Sequence, residues 1–232
     1  MKTYDNYLFD LYGTLVDIHT DEDDTFLWSR MATLLKAEGI SRTGDELREI
    51  YRREVKRLEE IHGPGSEIDI ANVFVSFYEG SNDIPDEAQI AKLAHIFRVL
   101  SLHKLRLFPG TIEMLQRLRA AEKCVYLLSN AQALFTLPEL DALGLLPFFD
   151  GIVISSREGV KKPDVRLFHR IVQRYGLDME STVMVGNDDV ADCWGAANAG
   201  LDSMYVFTEQ SPRQIRPLPE NCRHLKDISQ VI

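Results

Sequence analysis

Short apolar runs alternate with amphipathic stretches through the second half of this chain, whereas residues 20–100 carry helical periodicity and almost no strand signal. Near the amino terminus Tyr7, Leu8 and Phe9 suit a buried central strand. From residue 107 onward, strands are predicted at 124–128, 151–154, 182–185 and 203–206, and helices at 110–121, 131–143, 163–175 and 191–199. The segment at 163 opens with Pro and Asp, as a helix start should. Alternating strand and helix implies a parallel sheet with helices on both faces, an α/β fold. In the other region Leu27, Trp28, Met31, Leu34 and Leu35 form one apolar stripe. A helix over 44–62 carries Leu47, Ile50, Tyr51, Val55 and Leu58 on one face, closed by Gly63-Pro64-Gly65. Further helices are predicted at 68–79 and 85–101. An all-helical insert, residues 18–102, thus interrupts an α/β domain made of residues 1–17 and 103–232.

At 232 residues the chain can bury a sizeable core. Its net charge of −10 argues against a nucleic-acid backbone or an anionic membrane as main partner. A small anionic substrate stays compatible, because a few local cations reverse the field inside a pocket. Cys124, Cys193 and Cys222 are odd in number and lack metal-ligand spacing, which suits reduced thiols. No apolar run approaches the length needed to span a bilayer, nor that of a signal peptide. A cytoplasmic protein is expected, as a monomer or a homodimer paired through apolar faces of the insert.

Four segments place polar groups at the ends of proposed strands. Asp10 is delivered onto a glycine turn, with Tyr12, Gly13 and Thr14 behind it. A carboxylate at the carboxyl end of a parallel strand faces the crevice where open α/β sheets bind ligands. Ser129 and Asn130 follow the second strand at a helix entrance, where free amides favour anions. Ser129 alone would be read as a helix cap. Gly159-Val160-Lys161-Lys162-Pro163-Asp164 puts lysines before a helix, where electrostatics favour acids. Gly186-Asn187-Asp188-Asp189-Val190-Ala191-Asp192 crowds carboxylates that repel one another unless a cation lies among them.

In this order the four segments resemble the motifs of the haloacid dehalogenase-like hydrolase superfamily, across essentially the whole chain. Asp10 matches the nucleophile, Ser129 the hydroxyl motif, Lys162 (better than Lys161) the lysine motif, and residues 186–192 the acidic motif. The resemblance implies a Rossmann-like doubly wound sheet with a helical cap inserted after the first motif. It also implies an aspartyl ester-type intermediate. Asp10, the Tyr12 carbonyl, Asp188 and Asp192 would hold Mg²⁺: counting back from Asp192 points to position 187 or 188, 187 is Asn, so Asp188 is taken, ahead of Asp189. Lys162 would offset charge, while Thr14, Ser129 and Asn130 would hold substrate oxygens.

The first motif departs from the family's phosphatases, which usually carry a second Asp where this chain has Tyr12. A phenol with an ordinary pKa of about 10 is a poor base near neutrality, and losing acid–base assistance costs roughly 10²–10⁴-fold. Asp-x-Tyr-Gly-Thr is also similar to the metal-independent 2-haloacid dehalogenases, whose leaving halide needs no proton. The acid cluster weighs toward a Mg²⁺-dependent phosphatase of small metabolites. The dehalogenase, and a non-catalytic binding protein on the same scaffold, are the alternatives.

Overall fold

The computed structural model describes residues 2–81 and 84–232. Six parallel strands form the central sheet. They are β1 (Asn6–Phe9), β4 (Cys124–Ser129), β5 (Gly151–Ile154), β6 (Thr182–Gly186), β7 (Asp202–Val206) and β8 (Cys222–Leu225), in the order β5-β4-β1-β6-β7-β8. β1 sits at the centre, paired in register with β4 (Phe9↔Leu127) and β6 (Phe9↔Val185). Its residues Leu8 and Phe9 are fully buried, as a strand covered on both faces requires.

Helices α5 (Thr111–Ala120), α6 (Ala133–Ala142), α7 (Ser155–Glu158), α8 (Val165–Tyr175) and α9 (Gly195–Asn198) complete this doubly wound, Rossmann-like core. One apolar cluster packs on each face of the sheet. Phe9, Val125 and Met114 lie on one side, and Leu8, Phe168 and Ile171 on the other. The pattern of apolar positions located these strands within a residue or two. It missed β8, an edge strand reading Cys-Arg-His-Leu, in which only Leu225 is buried.

The insert holds α1 (Thr25–Ala37), α2 (Gly44–His62), α3 (Ile70–Val75) and α4 (Glu87–Ser101). Both long starts are chemically marked. Thr43 and Glu46 form a reciprocal capping box at α2, and Asp86 and Gln89 do so at α4. The four helices bury a core of their own around Trp28, Phe74, Phe77 and Phe97. Phe135 of α6 belongs to that same cluster, so a helix of the sheet domain reaches into the core of the insert.

An antiparallel ribbon, β2 (Val16–Thr20) with β3 (Leu102–Leu107), carries the chain out to the insert and back. Neither strand was visible in the sequence, because Val-Asp-Ile-His-Thr and Leu-His-Lys-Leu-Arg-Leu mix charges into the run. Those charges pair instead: Asp17, 1% exposed, accepts from Lys104 and Arg106 at 2.8 Å each. β2 also crosses the expected boundary at residues 17 and 18.

Candidate active site

The end of β1 meets the ends of β4 and β6, so three loops converge at the carboxyl edge of the sheet. The Asp10 amide donates to Val185 O at 3.0 Å, which fixes the backbone of the proposed nucleophile on β6. Gly13 then turns the chain with φ +85°. A Cβ there would also lie 2.4 Å from Asn187 Nδ2, so glycine is needed on two grounds. The turn leaves the Thr14 hydroxyl between Asp10 Oδ2, at 3.1 Å, and Asn187 Oδ1, at 3.2 Å.

Lys162 is the other support of Asp10. Its ammonium donates three hydrogen bonds: to Asp10 Oδ1 at 2.8 Å, Leu128 O at 2.8 Å and Asp192 Oδ1 at 2.7 Å. Those are all the donors an ammonium has. Burial disfavours its charge, but Asp10 and Asp192 outweigh that penalty and hold it protonated above the ordinary lysine range. A short helix, α7, separates β5 from the lysine loop, so this third segment does not follow its strand directly.

Several expected residues stand differently from their anticipated use. Asn130 clamps the backbone of Lys162, accepting from its amide at 2.7 Å and donating to its carbonyl at 2.9 Å. Asp192, expected as a second metal carboxylate, spends Oδ1 on Lys162, while its Oδ2 accepts from the Asp188 amide at 3.0 Å. Removal from water raises its carboxyl above the usual range, against the pull of the ammonium. Gly186 makes room for it, since a Cβ there would lie 2.1 Å from Asp192 Oδ2.

Asp188 lines the pocket, but its Oδ1 caps a wide π-helical turn over Asp189–Trp194 by accepting from the Val190 and Ala191 amides, at 2.8 Å each. That turn is why the helix expected at 191 starts earlier and irregularly. From this motif, Asn187 is joined to Asp10 through the Thr14 hydroxyl and Asp192 through the Lys162 ammonium. Ser129 is 1% exposed, and its Oγ has no hydrogen-bond partner among the described residues. A buried hydroxyl of this kind is costly unless a ligand satisfies it.

Tyr12 turns toward the insert. Its phenol donates to Glu139 Oε2, and its oxygen lies 3.1 Å from Thr136 Oγ1. Arg98 of α4 donates to Glu139 Oε1 at 2.6 Å, and its guanidinium lies 5.9 Å from the Tyr12 ring centroid. Burial first, then the Glu139 charge, push the phenol far above its ordinary range. Neither Glu139 nor Arg98 was singled out from the sequence.

A strap after β7 closes one wall. Thr208 donates to Gly13 O at 2.7 Å, and Gln210 Nε2 to Ile18 O at 2.7 Å and Asp17 Oδ1 at 2.6 Å. The resulting cavity is about 170 Å³, lined by Asp10, Tyr12, Lys162, Asn187, Asp188 and Gln210 among others. Its oxygens suit a hard cation: the carboxylates of Asp10 and Asp188 and the amide oxygen of Asn187. Among the described residues no three His, Cys, Asp or Glu side chains gather as a metal cluster. A cation here would rest on fewer protein ligands, with water and substrate filling its shell. That is ordinary for Mg²⁺.

Residues 4–200 match the family model described as haloacid dehalogenase-like hydrolase. The chain is 29% identical over 208 residues to a phosphoglycolate phosphatase of Agrobacterium fabrum, covering 86% of this chain and 78% of that one. A glyceraldehyde 3-phosphate phosphatase of Methanothermobacter thermautotrophicus is 33% identical over 130 residues, with 55% of this chain aligned to 58% of that protein's length. The fold is shared with a 2-haloacid dehalogenase of Pseudomonas syringae pv. Tomato DC3000, at a TM-score of 0.67 and 21% identity, covering 98% and 96% of the two chains. Among the described residues no helix is long and apolar enough to cross a membrane. The chain belongs to the haloacid dehalogenase-like hydrolases.

Proposed function

We propose that this hydrolase is a phosphohydrolase that moves the phosphoryl group of a small anionic substrate onto Asp10 and then to water. The observation that carries the reading is the pairing of Asp10 with a buried ammonium, in a cavity that Asn187 and Asp188 also line. A carboxylate so placed can attack phosphorus while its own charge stays balanced. The phosphatase names of the relatives, one aligned over most of the chain, support the same choice.

In this reading Lys162 and Thr14 orient the Asp10 carboxylate, and Ser129 Oγ with the adjoining backbone amides holds phosphoryl oxygens. Asp192 and Asn130 act on Lys162, one on its ammonium and the other on its backbone. Asp10, Asp188, Asn187 Oδ1 and the Tyr12 carbonyl are the groups that would hold Mg²⁺. When bound, the cation would neutralise charge on the phosphoryl group. Tyr12 and Asn187 favour the second reading, a metal-independent 2-haloacid dehalogenase, because neither supplies the acid a phosphatase site usually carries.

One panel separates the two. Phosphate release from p-nitrophenyl phosphate, abolished by EDTA and by Asp10→Asn, is the outcome expected here. Chloride release from 2-chloropropionate with EDTA present, and no phosphate release in Mg²⁺, would put the dehalogenase in its place.

A further inference from the structure

A proton for a departing alkoxide has to come from a group in the pocket able to surrender it near neutrality. The side-chain amides of Asn130, Asn187 and Gln210 do not ionise, so the choice narrows to Lys162, Tyr12 and the carboxyls. Lys162 spends three N–H bonds on Asp10, Leu128 O and Asp192. Asp192 has both oxygens accepting from protein donors. Tyr12 lies nearest in chain to the nucleophile, but its O–H is given to Glu139. Glu139 is only 6% exposed, with Arg98 bound to its other oxygen, so the acceptor cannot swing into solvent without leaving a buried guanidinium unpaired. The phenolic proton is thus committed to a lock reaching into the insert.

We propose, resting on the phosphohydrolase reading, that the substrates are small acyl phosphates and related phosphoryl donors whose leaving group departs as a stable anion, and that alkyl phosphate esters are poor substrates. The first step balances without a proton. An Asp10 oxygen bonds to phosphorus while the bond from phosphorus to the acyl oxygen breaks, and its electron pair leaves with the carboxylate. Asp10 then carries the phosphoryl group as a mixed anhydride. In the second step water attacks phosphorus, the Asp10–phosphorus electron pair returns to the carboxylate, and the water proton passes to solvent or to the departing phosphate. Asp188 caps the acidic turn and is assigned to the cation. No carboxylate of the pocket is therefore free to take that proton quickly, and the second step limits turnover.

The test is rapid-quench kinetics of the wild-type enzyme in Mg²⁺ with acetyl phosphate, p-nitrophenyl phosphate and glycerol 3-phosphate. The expected result is a burst of about one p-nitrophenol per active site, equal kcat for the first two substrates, and kcat/KM for the alkyl ester lower by roughly 10²–10⁴-fold. Glycerol 3-phosphate turned over within tenfold of acetyl phosphate, or release without a burst, overturns the proposal and leaves the phosphohydrolase standing. No turnover of any of the three removes both.

Discussion

Asn187 puts a neutral amide oxygen 3.2 Å from the Thr14 hydroxyl that also bonds Asp10. Asn187→Asp would set a third formal charge beside Asp10 and Asp188. Without a cation these charges repel, and with one they add to its binding. Thermal melting in EDTA should then fall by about 2–4 °C relative to wild type, the shift of roughly 1 kcal/mol in a chain of this size. Mg²⁺ should restore it, and calorimetric Mg²⁺ affinity should rise by about tenfold. A variant whose melting ignores Mg²⁺ would remove position 187 from the cation's reach. That Asp10, Thr14 and Lys162 would meet was legible in the sequence, since each lies near a strand or helix boundary. Which acid of the fourth segment faces the nucleophile was not. Neighbouring carboxylates look alike on paper, and only the folded turn shows Asp188 accepting two amides while Asn187 packs on Gly13.

Helix α4 of the insert and helix α6 of the core meet through Arg98 and Glu139, with side chains 12% and 7% exposed. Breaking one partner of such a buried pair leaves the other uncompensated. Glu139→Gln should lower unfolding stability by about 3 kcal/mol in denaturant titration. Combined with Arg98→Met it should cost less than the sum of the two single changes. Strict additivity would mean that the pair does not couple the two elements. The β2–β3 ribbon has its own electrostatic signature. Hydrogen bonding from Lys104 and then Arg106 holds Asp17 below the usual carboxylate range, against its burial. Because the folded value is the lower one, this stabilisation is fully present above the unfolded value of about 3.9 and fades as pH falls through the folded one. The stability gap between wild type and Asp17→Asn should be flat from neutrality to about pH 5 and close only in stronger acid. Neither element contact could be read from the chain. Periodicity reports which face of a helix is apolar, but a buried ion pair between residues 98 and 139 leaves no periodic trace.

Several polar ties join the insert to the core, among them Gln132 on Ile68 O and Ile70 N, at 2.9 Å each. Besides Arg98–Glu139, Ser66 bridges Val160, Glu67 N donates to Gly159 O at 3.2 Å, and Lys161 N donates to Gly65 O at 3.1 Å. The ties to Gly159, Val160 and Lys161 hold the very loop that carries Lys162. Alternating strands and helices predicted the α/β sheet and the helical insert, whose long helices obey local rules. Nothing local encodes the ties, which join residues far apart in the chain. Phe135 adds an apolar link, since it grows from core helix α6 yet packs among Phe74 and Phe97 of the insert. Two bodies joined by Phe135 and several polar ties should unfold together. The two tryptophans allow a direct check, because Trp28 is buried in the insert and Trp194 lies beside the acidic turn. In Trp194→Phe, Trp28 fluorescence reports the insert alone while far-ultraviolet circular dichroism reports the whole chain. The two urea transitions should coincide in that background. Adding Phe135→Ala removes about 3–5 kcal/mol of buried contact at the junction. The fluorescence transition should then move to lower urea than the dichroism midpoint. Coincident curves in both proteins would mean that the polar ties alone are enough to make the insert and the sheet one cooperative unit.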